Sequence, residues 1–295
     1  MTSSTTLALT GVTGALGGVV AGHLADLAPR LLVRDPGRAP SIDGSEVRTC
    51  TYGDAEACLA ALEGVDVLFL VSAAESPTRR EEHATVIDAA ARAGVRHVVY
   101  TSFEGAGPDA TFTLGRDHHA AEQALADAER THGMRHTCLR DNFYLDVLPL
   151  FADDEGVLRG PAGDGRVAAV ARADVAEVAA RILRDLVEGG AAAEQHAGAV
   201  YRLSGPEALT LDEVASRAGA HLGRPLRYEQ ETVEEAYASR RAGWPDAQQF
   251  ELDAWVSTYT AIADGSVAEV TDDVPRLLGH PARTLEDVLG PSLVE

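Results

Sequence analysis

The sequence predicts an α/β fold: a doubly wound parallel sheet with a smaller, mainly helical C-terminal lobe. Three observations carry this. Short apolar runs of strand length alternate with helical runs from the first residues as far as Arg140. One of them, Val67–Ser72 (VLFLVS), is apolar throughout, as a strand covered on both faces must be. The first strand turns into a helix through Gly11, Gly14 and Gly17. Strict alternation implies right-handed crossovers, so neighbouring strands run parallel with helices on both faces, a Rossmann-type arrangement.

Taken in order, Leu7–Thr10 is the first strand and Ala15–Leu27 the helix behind it. Strands at Arg30–Arg34 and Val47–Tyr52 follow, then a short helix over Ala55–Leu62 and the buried strand Val67–Ser72. Helix Arg79–Ala93 stops at Gly94, a residue free to take the left-handed conformation that ends helices. His97–Thr101 is the fifth strand, Asp117–His132 a helix ended by Gly133, and Arg135–Arg140 the sixth strand. Beyond Arg140 the pattern loosens. Val157–Gly165 is turn-rich, Ala173–Val187 helical, Ala191–Gly198 loop-like and Val200–Leu203 a short strand. Leu211–Leu222, Val233–Arg241, Ala247–Ala263 and Leu285–Leu289 read as helices. The expected division is 1–150 for the sheet domain and 151–295 for a substrate-binding lobe, partly interleaved through Val200–Leu203. A cleft between the two is the default ligand site.

Composition excludes several classes. At 295 residues and 45% hydrophobic content the chain can bury a full core. Its formal net charge of −21 argues against nucleic acid or an anionic membrane surface as partner, since both need a positive footprint. No apolar run approaches a membrane span, and the N-terminus, MTSSTTLALT, lacks a basic leader region. The cysteines, Cys50, Cys58 and Cys138, are odd in number and lack metal-ligand spacing. They are expected to be reduced, buried thiols in a cytoplasmic protein.

The glycine turn indicates what the chain holds. A strand turning through glycines into a helix leaves several backbone N–H groups and the positive end of the helix facing one point, which suits a pyrophosphate. Gly11 would make the tight turn, Gly14 admit the phosphate and Gly17 let the helix pack on the sheet. The spacing is GxxGxxG, and its position in the first βα turn makes 1–150 an NAD(P)-binding domain. At the end of the second strand stand Arg34 and Asp35. A guanidinium fork matches the 2′-phosphate of NADP, whereas an acidic side chain would take the 2′-hydroxyl of NAD. The expectation is NADP on Arg34; the competing reading makes Arg34 a surface residue and Asp35 the contact.

All 25 basic residues are arginine, and lysine is absent. A Tyr-x-x-x-Lys pair, a Schiff-base lysine and a Walker-type phosphate lysine are therefore excluded. Arginine does not deprotonate and cannot take over as a base.

From TGVTGALG and LLVRDP onward the chain resembles the NmrA-like, atypical short-chain dehydrogenase/reductase family, and within it the bacterial NADPH:quinone oxidoreductases. The matching words include TYGD (Thr51–Asp54), LFLVSAAE (Leu68–Glu75), AGVRHVVYTS (Ala93–Ser102), LRDNFYLD (Leu139–Asp146) and GPAGDGRVAAVARADVA (Gly160–Ala176). LSGPEALTLDEVA (Leu203–Ala215) and LLGHPARTLEDVL (Leu277–Leu289) close a resemblance over about nine tenths of the chain. It implies that Gly11, Thr13, Gly14, Ala15 and Leu16 form the pyrophosphate turn and that Arg34 is the 2′-phosphate arginine. Asp54 would sit near the adenine edge, and Ser72, Ala73 and Ala74 would line the inner ribose. Asp141, Asn142, Phe143 and Tyr144 would lie beside the nicotinamide, with Asp141 standing where relatives often have Asn. Arg172 matches a cleft-facing arginine; the alternative is an ion pair with Asp174.

Thr101 and Ser102 end the fifth strand, where strand termini face the ligand crevice, so Thr101 is a further cofactor contact. Tyr100 is expected in the core. Helix Asp117–His132 occupies the place of the missing Tyr-x-x-x-Lys pair. There His118 and Glu122 lie four apart on one face, and a histidine bonded to a carboxylate is a proton donor near neutral pH. The competing reading is a solvated helix with an ordinary pair. His118 and Tyr144 are the candidate catalytic groups. No metal site is expected, because adjacent histidines diverge by about 100° on a helix. Phe103, Phe143 and Tyr144, with Trp244, Phe250, Trp255 and Tyr259, offer surfaces for a flat acceptor, although the run from Trp244 to Tyr259 also reads as a helix packing its own lobe or the second copy of a homodimer.

Reduction of a quinone yields a phenolate-level anion near pKa ~10, which needs less protein acid than an alkoxide does. The leading expectation is thus NADPH-dependent hydride transfer to a quinone-type small molecule. The alternatives are reduction of an aromatic polyketide ketone or enone, and a non-catalytic NADP(H)-binding redox sensor.

Overall fold

In the computed structural model, residues 5–290 are described, so the reading of the N-terminus rests partly on residues outside them. The first strands and helices are β1 (Leu7–Leu9), α1 (Ala15–His23), β2 (Arg30–Val33), β3 (Val47–Thr49) and α2 (Ala55–Leu62). They continue as β4 (Val67–Leu70), α3 (Arg79–Ala93), β5 (His97–Phe103), α4 (Thr113–His132) and β6 (Arg135–Asp141). Then come β7 (Val157–Gly160), β8 (Arg166–Val167), α5 (Arg172–Glu188), α6 (Ala191–Glu194) and β9 (Val200–Leu203). The remainder is β10 (Leu209–Thr210), α7 (Leu211–Leu222), β11 (Arg227–Gln230), α8 (Val233–Gly243), α9 (Gln249–Ala263), α10 (Asp273–Leu278) and α11 (Leu285–Leu289).

Seven strands form one sheet in the order β3-β2-β1-β4-β5-β6-β9. The pairs β1–β2, β1–β4, β2–β3 and β4–β5 are parallel, with Leu9 opposite both Leu31 and Phe69. Cys138 N–H donates to Ala199 O and Asn142 N–H to Leu203 O, so β9 runs parallel beside β6. This is the expected Rossmann-like sheet, and β9 returns to it as anticipated. All seven residues of β5 are buried, the polar His97, Thr101 and Ser102 among them, as in a strand covered on both faces.

Two compact units divide the chain. The first takes the residues up to Ser102, Asp117–Arg140 and Val175–Tyr201. It buries Leu68, Leu70, Val98, Tyr100, Leu125 and Met134 in one cluster. The second takes Phe103–Arg116, Asp141–Asp174 and Arg202 onward. It has its own core around Phe103, Leu145, Leu158, Leu211 and Ile262. The division thus crosses the chain several times.

Two local readings are corrected. Val157–Gly165 is not only turn: β7 within it pairs in parallel with β11, and β8 just beyond pairs antiparallel with β10. Strands of two to four residues carry too few positions to show a period, and their partners lie at least 40 residues downstream. Ala191–Gly198 opens with the short helix α6. All three cysteines are free and buried, with Cys50 and Cys58 Sγ 3.5 Å apart.

Candidate cofactor and active site

The first βα turn is built around its glycines. Gly11 has φ +66°, and a side chain there would meet Val71 at 2.8 Å. Gly14 N–H closes the turn on Gly11 O at 2.9 Å. A Cβ on Gly17 would stand 2.3 Å from Gly11 O, so this glycine serves the close approach of α1 to the turn's own carbonyl rather than to the sheet. Gly14 caps α1 without a side-chain bond, and no acidic residue occupies the first turn of the helix. Thr13, Gly14 and Ala15 are exposed while Leu16 is buried. The first-turn N–H groups and the helix dipole are therefore available to an anion, and the lack of a side chain at Gly11 and Gly14 fits a dinucleotide pyrophosphate.

Neighbouring groups fix this turn. Val71 N–H donates to Thr10 Oγ1 at 2.9 Å. The Tyr52 hydroxyl donates to Val71 O at 2.7 Å and lies 2.6 Å from Thr10 Oγ1. Arg34 stands exposed just past β2. Asp35 is engaged locally, its Oδ1 accepting Gly37 N–H at 2.9 Å to cap a single 3-10 turn. Asp54 is the N-cap of α2, its Oδ1 accepting Ala57 N–H at 3.0 Å.

The segment after β4 is held from three sides. Ser72 N–H donates to Thr101 Oγ1 at 2.8 Å. Ala73 N–H donates to His83 Nε2 at 2.8 Å, and Arg79 Nε donates to Ala73 O at 2.9 Å. Ala74 is exposed. Thr101 thus positions the Ser72–Ala74 segment, a role it shares with Arg79 and His83. Those two were not singled out from the sequence, since buried polar residues on a helix rich in charge look like surface.

His118 does not form the expected pair. Its Nε2 is 3.0 Å from Arg79 Nη2 and its Nδ1 is 3.0 Å from the Tyr100 hydroxyl, all three residues being buried. A guanidinium only donates, so Nε2 is an acceptor and the ring is neutral with its proton on Nδ1. Burial, reinforced by the charge of Arg79, pushes the imidazole well below its ordinary range. The same causes take His83 down to about 3. Glu122 instead accepts from Ser102 Oγ at 2.6 Å and from Arg140 through both carboxylate oxygens. The i,i+4 spacing offered a neighbour, but bidentate arginine binding is the stronger bond. His118 is a core histidine, and neither reading drawn from the sequence, solvated pair or proton donor, describes it.

In the second unit, Asp141 ends β6 with 3% of its surface exposed. Its Oδ2 lies 3.1 Å from the Tyr144 hydroxyl, and its Oδ1 is buried without a hydrogen-bond partner among the described residues. Burial pushes this carboxyl well above the usual carboxylate range, against the opposing bond to Tyr144. Burial and then the neighbouring Asp141 push the Tyr144 hydroxyl up as well. Asn142 is engaged internally: its Oδ1 accepts Phe143 N–H and its Nδ2 donates to Val267 O. Arg172 pairs with Asp146, which also accepts its backbone N–H, and its guanidinium carbon lies 5.7 Å from the centre of the Tyr144 ring. The alternative partner, Asp174, is fully buried and pairs with Arg283.

The aromatic residues divide into two groups. Phe103 and Phe143 pack on each other and on Phe112 at centroid separations of 4.7–5.1 Å, so they belong to the core of the second unit rather than to a stacking surface. Trp244 and Trp255 meet edge to face at 5.4 Å and line a cavity of about 680 Å³ together with Phe151 and Tyr259. Among the described residues no cluster of three or more metal-ligating side chains occurs, and no helix is long and apolar enough to cross a membrane.

Residues 11–186 match the family described as NAD(P)H-binding. The chain is 33% identical to quinone oxidoreductase 2 of Escherichia coli (strain K12), over 95% of this chain and 96% of that protein. It is 36% identical to the (4-alkanoyl-5-oxo-2,5-dihydrofuran-3-yl)methyl phosphate reductase of Streptomyces griseus, over 95% of each. Its structure superposes on that of an NADPH-dependent quinone oxidoreductase from Escherichia coli complexed with NADPH with a TM-score of 0.83, covering 96% of this chain and 98% of the other at 31% identity. The chain belongs to the NAD(P)H-binding family.

Proposed function

We propose that the protein is an NADPH-dependent reductase that passes hydride to a quinone-type acceptor. The observation that carries this reading is the pairing of an uncapped glycine turn with an exposed Arg34 while Asp35 is engaged in its own turn. A 2′-phosphate would complement Arg34, and the pyrophosphate would take the first-turn amides of α1. Ser72, Ala73, Ala74 and Asp54 complete the nucleotide side, with Asp141, Asn142, Thr101 and Arg172 serving through position. NADPH, when bound, supplies the hydride; the chain binds, orients and handles the proton. Neutral, buried His118 is engaged with Arg79 and Tyr100, so Tyr144 is the proton-donating group of this reading. Burial and Asp141 push the Tyr144 hydroxyl above the ~10 that it would otherwise share with a hydroquinone oxygen, so the transfer runs uphill and is drawn on by the hydride addition that makes the acceptor oxygen basic. A second reading, reduction of an enone, is favoured by the 36% identity to a reductase whose named substrate is a dihydrofuranone phosphate.

The test is NADPH oxidation by purified protein with benzoquinones, naphthoquinones and a butenolide enone, with NADH in parallel. Turnover with NADPH is expected, and Arg34→Ala is expected to raise the KM for NADPH by roughly tenfold to a hundredfold, the value of a charge-assisted bond. Tight NADP(H) binding without turnover on any acceptor would sink the reductase reading and favour a binding protein that senses the cofactor's redox state.

A further inference from the structure

We propose that Asp141, in its protonated form, is the proton store behind Tyr144, refilling the tyrosine after it has protonated the acceptor oxygen. This rests on the reductase reading above. Asp141 is buried at the carboxyl end of β6, the end at which ligands bind in open parallel sheets. One of its oxygens has no partner, and no ion pair reaches it among the described residues. A carboxylate in that place would be a buried charge with half of its acceptor sites empty, whereas a neutral acid loses only one weak carbonyl bond.

The charged groups around it do not repair this. Arg172 is committed to Asp146, and Glu104, whose backbone N–H donates to Asp141 O, pairs with Arg202. Among the described residues its one side-chain hydrogen bond is with the Tyr144 hydroxyl, at 3.1 Å. A proton on Oδ2 would donate to Tyr144 Oη and leave the tyrosine's own O–H free to turn outward. Burial raises both groups, and Arg172 beside the ring tempers the tyrosine.

Hydride adds to the acceptor with its electron pair, and an oxygen of the acceptor takes the displaced π pair. The O–H bond of Tyr144 breaks as an O–H bond forms on that oxygen. The Oδ2–H bond of Asp141 breaks as the tyrosine hydroxyl re-forms, and water returns a proton to Asp141. Asparagine in this place could orient Tyr144 equally well but could not refill it.

The decisive comparison is wild type, Asp141→Asn, Tyr144→Phe and the double variant, with NADPH and a benzoquinone across pH. Asp141→Asn is expected to lower kcat by about 10- to 100-fold while leaving the KM for NADPH within about twofold. The wild-type kcat should fall along one alkaline limb that this variant lacks, and the double variant should be no slower than either single one. Independently of turnover, infrared spectra of the free protein near neutral pH should show a protonated-acid carbonyl band that Asp141→Asn removes. Wild-type kcat and an unchanged alkaline limb in Asp141→Asn, or absence of that band, would overturn the proposal and leave the reductase reading intact. A wild type that turns over no acceptor would overturn both.

Discussion

A methyl group on Gly17 would stand 2.3 Å from the Gly11 carbonyl oxygen, inside any tolerable contact with rigid backbone. Gly17→Ala should therefore push α1 away from the turn, costing about 1–3 kcal/mol and most of the affinity for NADP(H). Thermal unfolding and calorimetric titration check both, and a variant that binds normally would show that α1 can shift without loss. Asp141 acts at the same scale through pH. Its folded-state carboxyl is raised above the unfolded value near ~3.9, so its contribution is complete below that value and is lost as pH rises through the folded one. The Tm of Asp141→Asn relative to wild type should accordingly climb from acid to alkaline pH. A constant difference would mean that Asp141 titrates normally.

The element that most needs support is the stretch leaving β4. Three separate groups, the Thr101 hydroxyl, His83 and Arg79, hold the backbone of Ser72 and Ala73, and each comes from β5 or α3 rather than from the stretch itself. Removing the Arg79 side chain would leave Ala73 O and His118 Nε2 without their donor inside the first unit. Arg79→Ala should destabilise by about 2–4 kcal/mol and weaken cofactor binding, while an exposed neighbour such as Arg80→Ala should do neither. Equal effects from the two variants in denaturant titrations would refute this role for Arg79. In the helical part of the second unit, local chemistry suffices. Thr210, Thr232 and Thr284 each form a reciprocal capping box with the acidic residue three places on, and Thr232→Ala should cost α8 about 1 kcal/mol.

For the molecule as a whole, acid lability follows from buried neutral histidines. Burial lowers His83 and His97 to about 3 and His118 in the same direction. Depressed folded-state values give stability that is complete above the unfolded value of ~6.5 and lost as pH falls toward the folded one. Tm should therefore decline steadily from about pH 6.5 to about pH 3, and replacing His97 with Asn should flatten part of that slope. With a formal net charge of −21 the chain also repels itself, so added salt should raise Tm modestly near neutrality.

The strand and helix order as far as β6, the apolar β4, the glycine turn and the Arg34 position were legible because each is written locally. A period of two or 3.6, a glycine with φ > 0 or a strand end needs only its own few residues. Gly11 bears this out with φ +66°, as do the matching bounds of α2, α3, α7 and α11. Partner choice was not legible in this way. His118 takes Tyr100 and Arg79 in place of Glu122, Arg172 takes Asp146 in place of Asp174, and Phe103 and Phe143 close on Phe112 rather than facing a ligand. Sequence spacing determines which side chains are neighbours on one helix. Which of them is desolvated, and which distant donor reaches it first, depends on packing between elements far apart in the chain. The neutral state of His118 and the unpartnered oxygen of Asp141 are products of that packing alone.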